Sequence, residues 1–250
     1  MAETILFLHG FPGNHMGLED LANAFQEKYR IIIPDLPACG ESEPFIQTHT
    51  LKSYADWLKM FLEHLGLQQI IIVGHSFGTR VALVFAAEYP DKVKKMALIT
   101  PMLRVDGLIA RVASLKFSIA KVLPRRMRSQ WLSNKLYQHA FKVIIFKSAS
   151  PKRRKEIVEM DRKEMMHIDP KYTLEIFDEF YQSNLTPTGE KVKAPCLVIA
   201  ADKDEIATLQ AVGELVACLE NVTFEIMKDS GHLVPLERPV ETANVIKKWL

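Results

Sequence analysis

Apolar runs rich in β-branched residues recur at Thr4–Leu8, Ile31–Ile33, Ile70–Val73, Met96–Thr100, Cys196–Ala200 and Val222–Met227. Between them apolar residues return at helical spacing, as in Leu51–Leu65, Thr79–Tyr89 and Leu209–Leu219. Near-continuous apolar strands alternating with helices predict an α/β fold, a mostly parallel sheet of about six strands with helices on both faces. In such a sheet the ligand crevice lies beyond the carboxyl ends of the strands. The alternation stops between about Pro101 and Pro187, where a helical pattern runs without strands. Residues 1–100 and 188–250 are therefore expected to form one core, and residues 101–187 a helical insertion.

Directly after the third run stands Gly74-His75-Ser76-Phe77-Gly78, followed by Val81, Val84 and Phe85 at helical spacing. A Gly-x-Ser-x-Gly arises by chance in about one chain in ten of this length, so its context carries the reading. Between a strand and a helix, small residues two before and two after a serine permit a tight turn that leaves the hydroxyl exposed. Gly74 and Gly78 form the turn and Ser76 is the candidate nucleophile; the bland alternative is a flexible turn without chemistry. Acyl transfer also needs a base, an anion to orient that base, and donors for the oxyanion. His9, Ser76, Asp204 and His232 all fall just past expected strand ends, where positions distant in the chain can converge.

At these residues the chain resembles the α/β-hydrolase fold family, the Ser-Asp-His serine hydrolases with a helical cap, through nearly everything outside its middle third. Ile5-Leu6-Phe7-Leu8-His9-Gly10-Phe11-Pro12-Gly13 is similar to the family's His-Gly turn, and the stretch Asp35 to Ser42 to the loop after the next strand. The stretch Cys196 to Asp204 is similar to the strand that presents the acid, and Asp229-Ser230-Gly231-His232 to the turn that presents the histidine. The resemblance implies Ser76 as nucleophile, Asp204 as acid and His232 as base, in the family's chain order. It implies an oxyanion hole made of the backbone amides of Phe11 and Phe77, with His9 and Gly10 shaping the turn. Asp202, Glu205 and Asp229 compete with Asp204 for the acid's role. His75 is expected to point away from the site as a structural residue, and His15, His49, His64, His139 and His167 are read as surface or cap residues. Ala38 stands where a glycine is usual, Thr79 where Gly or Ala is commoner, and Ala201 and Thr208 replace the usual Gly and Pro around the acid; none of these removes a reacting group. The His-Gly turn comes so early that two strands common in the family have no room before it. The strand around Ile31–Ile33 then becomes a sheet edge open to pairing, and the chain is expected as a monomer or a homodimer.

The implied function is cleavage of a carboxylic ester, or a related acyl bond, through an acyl-serine intermediate. It is a carboxylesterase-like reaction on a small-molecule acyl or ester substrate, with no cofactor. A serine at position 76 argues against the family's dehalogenases and epoxide hydrolases, which use an aspartate nucleophile. Carbon–carbon bond hydrolases and cofactorless lyases keep Ser and His, so they stay open, as does a ligand receptor with a vestigial site.

Charge changes the picture in one region. Between Arg104 and Lys155 there are fourteen Lys or Arg against one acid, Asp106, in a chain whose net charge is only +2. These cations are interleaved with Leu108, Ile109, Leu115, Phe117, Trp131, Phe141 and Ile144. Such a face can attract an acidic carrier protein, an anionic membrane surface or an anionic substrate. The alternative is a solvated helical face whose long basic stems cover apolar cap residues. No nucleic-acid recognition motif accompanies the charge, so no nucleic acid partner is expected. No apolar run reaches the ~20 residues needed to span a bilayer, and Met1-Ala2-Glu3 leads straight into a strand without a basic leader, so a cytoplasmic location is expected. Cys39, Cys196 and Cys218 show no metal spacing, and no metal site is expected. Cys196 and Cys218 lie in apolar segments and read as buried thiols.

Overall fold

The computed structural model describes residues 2–103, 107–132, 134 and 146–250. Six strands, β1 (Thr4–Leu8), β2 (Arg30–Ile32), β3 (Ile70–His75), β4 (Val93–Ile99), β5 (Cys196–Ala201) and β6 (Val222–Met227), form one sheet in the order β2-β1-β3-β4-β5-β6. Every pairing is parallel, so the sheet is wholly rather than mostly parallel. Strand order reverses at β1 and β3, the switch point where a crevice opens beyond the carboxyl ends. There Leu8 pairs with Gly74, and His75 with Ile99, so the ends of β1, β3 and β4 are level.

Among the described residues the helices are α1 (Glu19–Ala22), α2 (Leu51–His64), α3 (Phe77–Glu88), α4 (Gly107–Val122), α5 (Arg125–Leu132), α6 (Pro151–His167), α7 (Pro170–Gln182), α8 (Thr186–Gly189), α9 (Leu209–Cys218), α10 (Val234–Glu237) and α11 (Pro239–Trp249). Successive strand side chains point to opposite faces. On one face Leu6, Leu8, Ile70 and Ile72 meet α2, α3 and α9; on the other Ile5, Phe7, Ile71 and Val73 meet α1 and α11. Burial on both faces is why these strands read as unbroken apolar runs. Besides Lys94 and Lys95 at the start of β4, the outer strands depart from it: β2 is partly exposed at one edge, as expected of the Ile31 strand, and β6 leaves Phe224 and Ile226 exposed at the other.

α4 to α7 lie between β4 and β5. Phe117, Ala120, Leu132 and Leu174 make a small cluster within them, while Ile176, Phe180 and Leu185 join the main core beneath. α8 spans the expected boundary at residue 187 and packs on α3 and α9. Of the basic stretch, Arg104, Asp106, Lys135, Phe141, Lys142 and Ile144, together with His139, lie outside the described residues, as do the side chains of Leu108, Ile109 and Arg111. Part of its charge is met by acids elsewhere in the chain: Lys121 pairs with Asp178, Arg125 with Asp169 at 2.9 Å, Lys147 with Glu205 at 2.7 Å and Arg153 with Asp20 at 2.6 Å. Among the described residues no helix is long and apolar enough to cross a membrane.

Several local expectations are corrected. β3 runs two residues further than the apolar pattern, to His75, and α3 begins at Phe77, so the turn between them is the single residue Ser76. β4 begins at Val93, ahead of Met96. His49 is no surface residue: it is wholly buried, and its Nδ1–H donates to Glu175 of α7 at 2.8 Å. Cys218 is only half-buried, whereas Cys39 and Cys196 are buried and burial pushes the Cys196 thiol up to about 12. Ala38 explains why a glycine is usual at its position, because its φ is 69°. A Cβ in that region costs roughly 1–2 kcal/mol.

Candidate active site

Ser76 sits alone between a strand and a helix, at φ 50° and ψ −112°, a conformation L-residues avoid. Close packing enforces it. A Cβ at Gly78 would collide with the Leu8 carbonyl of the neighbouring strand, and one at Gly74 would stand 2.8 Å from the Gly78 carbonyl. Thr79 returns to the turn, its Oγ1 donating to the Ser76 carbonyl at 2.5 Å.

The structure brings together the three residues expected to react. Ser76 Oγ lies 2.8 Å from His232 Nε2, and His232 Nδ1 lies 2.8 Å from Asp204 Oδ2. A carboxylate only accepts, so it holds the ring proton on Nδ1 and turns the Nε2 lone pair toward the serine hydroxyl. The other Asp204 oxygen accepts the amides of Ile206 and Ala207 at 2.8 and 2.9 Å, which fixes the carboxylate plane. The competing acids face elsewhere. Asp202 accepts the Ser230 amide at 3.2 Å, Glu205 pairs with Lys147, and Asp229 pairs with Lys203 at 2.5 Å in solvent. All three reacting side chains are buried, Ser76 being 7% exposed.

The loop after β1 closes the other side. A Cβ at Gly10 would stand 3.3 Å from Ser76 Cβ, so the absent side chain lets this backbone approach the nucleophile. His9 Nδ1–H donates to the Gly10 carbonyl at 2.8 Å while Nε2 accepts the Leu36 amide at 2.9 Å. Both bonds require the neutral ring, and burial pulls the His9 pKa down to about 4. Phe77 opens α3, so its amide has no acceptor within the helix. The rings of Phe11 and Phe77 lie 6.2 Å apart, roofed by Phe177 at 5.4 Å from Phe11 and by Phe180 at 5.3 Å from Phe77.

Other residues supporting this arrangement escape a reading of the sequence. His75 does not point away: its Nε2–H donates to the His232 carbonyl at 3.0 Å, and Thr100 Oγ1 donates to the same oxygen at 3.0 Å. Thr100 pays for this position with a φ of 45°. Arg80, wholly buried, donates to the carbonyls of Met102 and Leu103 at 2.8 Å and of Glu179 at 3.1 Å, tying the helix after Ser76 to both ends of the inserted segment. Glu164 of α6 accepts the Gly40 amide at 2.5 Å and Asn14 Nδ2 at 3.0 Å, joining the insertion to two loops of the core. The one signal in the sequence was Arg80, a lone charge inside the apolar stretch of α3.

The buried histidines make stability depend on pH. Burial holds His75 at about 3, as it holds His9 at about 4. Unfolded, both titrate near 6.5, so on acidification the unfolded chain takes up protons that the native one refuses and stability falls. From about pH 7.5 to about pH 5 the loss is expected to be about 2 kcal/mol for each ring, read as a drop in the urea midpoint that His75→Gln makes shallower. A midpoint indifferent to pH would show that these rings are not held neutral.

The sequence profile of the alpha/beta hydrolase fold matches residues 3–239. Lipase 1 of Psychrobacter immobilis is 27% identical over 253 residues, covering 99% of this chain and 76% of that protein. Monoacylglycerol lipase ABHD6 of Homo sapiens is 25% identical over 261 residues, covering 99% and 75%. Among solved structures, a thermophilic esterase from Thermogutta terrifontis superposes with a TM-score of 0.82 at 23% identity, over 99% of this chain and 90% of that one. The enol-lactonase from Burkholderia xenovorans LB400 does so with a TM-score of 0.85 at 18% identity, over 100% and 91%. A parallel sheet with its serine turn at the switch point and a family profile that spans nearly the whole chain lead to one conclusion: this chain belongs to the α/β hydrolase fold family.

Proposed function

We propose that the chain hydrolyses carboxylic esters with an apolar acyl group through an acyl-serine intermediate. The observation that carries this reading is the unbroken chain of 2.8 Å hydrogen bonds from Ser76 through His232 to Asp204. His232 Nε2 takes the Ser76 proton as Oγ attacks the ester carbon, Asp204 balances the charge on the ring, and the amides of Phe11 and Phe77 receive the oxyanion. His232 then gives the proton to the leaving alcohol, and water repeats the cycle on the acyl-serine. Residues 101–187 act as a cap whose Phe177 and Phe180 wall an apolar acyl site. The lipase names of the relatives favour lipid-like esters.

The test is labelling with a fluorophosphonate followed by turnover of p-nitrophenyl esters of rising acyl length. Labelling at Ser76 with repeated turnover supports the hydrolase. Stoichiometric labelling without turnover of any ester would overturn it in favour of a receptor or a cofactorless lyase.

A further inference from the structure

α4 is apolar on two faces. Phe117 and Ala120 turn inward onto Leu132 and Leu174. On the far side Val112, Leu115 and Val122 are 51%, 62% and 82% exposed. A helix with an apolar stripe on each side either is buried or meets a second apolar phase. α5 packs on α4 and exposes Met127 and Trp131, one turn apart; the Trp131 indole N–H donates to the Lys116 carbonyl at 3.0 Å, which fixes the ring against α4. Cations border it. The Arg125 side chain is 82% exposed even with Asp169 at 2.9 Å, and Arg126 and Lys121 are exposed next to it.

We propose that this face of α4 and α5 docks onto an anionic lipid surface. Val112, Leu115 and Val122 enter the headgroup boundary, Trp131 lies at its level, and Arg125 and Arg126 meet lipid phosphates. Charge complementarity selects an anionic partner, and the apolar stripe beside the cations selects lipid. A folded acidic protein would have to offer a matching apolar groove, whereas a bilayer supplies both phases along a flat boundary. At sixteen residues α4 lies along the surface rather than across it. The probe is the vesicle itself, so the outcome does not depend on the ester reading.

The experiment is co-sedimentation of the full chain with vesicles of phosphatidylcholine containing phosphatidylglycerol, against phosphatidylcholine alone, at low and high salt. Each arginine near the surface accounts for about a fivefold change in partitioning, so Arg125→Gln with Arg126→Gln is expected to weaken binding roughly 30-fold at low salt, and less as salt rises. Leu115→Gln with Val122→Gln is expected to weaken it about tenfold at either salt. Emission from Trp131 should shift to the blue on vesicles, and Trp131→Phe should remove the shift. Unchanged thermal melting and unchanged turnover of a short soluble ester in all variants keep misfolding out of the comparison. The proposal is overturned if wild type stays in the supernatant with anionic vesicles at low salt, or if the variants sediment as well as wild type. It is equally overturned if the stripe proves to be a contact between two copies, dissociated by Leu115→Gln without lipid, or binds an acidic acyl carrier protein in place of vesicles.

Discussion

Ser76→Ala is expected to abolish fluorophosphonate labelling and to lower ester turnover about 10⁶-fold, leaving the ~10³–10⁴ acceleration over water that binding and an oxyanion hole supply alone. The fold should survive, because the strain at Ser76 resides in its backbone and alanine loses only the hydroxyl that meets His232. Measured kcat on a p-nitrophenyl ester decides the matter. Labelling that persists on another residue, or turnover within tenfold of wild type, would remove Ser76 from the nucleophile's role.

Asp204→Asn is expected to cost about 10⁴ in kcat with little change in folding. Asparagine keeps one oxygen, which can go on accepting the Ile206 and Ala207 amides, but it presents an NH₂ to His232. Two donors then face each other, the ring proton moves to Nε2, and the serine loses its acceptor. Asp202→Asn should change kcat little, since asparagine still accepts the Ser230 amide from a side chain that never reaches His232. The reverse ranking in the same assay would show that the acid sits elsewhere on the loop after β5.

The residues proposed to react were legible because each carries a short-range signal. Ser76 stands between β-branched residues and a helical repeat with glycines on both sides, and Asp204 and His232 each follow directly on an apolar run and a turn. Of the supporting residues only Arg80, a charge inside the apolar stretch of α3, carries one. His75 and Thr100 act on the carbonyl of His232, 157 and 132 positions further along, and Arg80 acts on four backbone oxygens in two stretches, 102–103 and 179–183. A bond to a carbonyl leaves no trace in the identity of the residue that owns it. The expectation that His75 points away fails for a related reason: alternation along its own strand says nothing of the His232 loop that folds back onto it. His49, a histidine among polar residues, looks exposed until Glu175 of α7 is brought onto it.

By itself the sequence determines the layered α/β fold, the six strands and the four turns that end on chemistry-bearing residues, because period, burial and turn geometry are local properties of the chain. The cation excess between Arg104 and Lys155 is equally plain in it. Which of four acids meets His232, what holds that histidine's backbone, which cations pair with Asp178, Asp169 and Glu205, and which side of α4 is left to water were decided only by the tertiary structure. Each of these depends on a contact between segments far apart in the chain, and the free energy of such a contact is set by distance and burial, which no residue specifies alone.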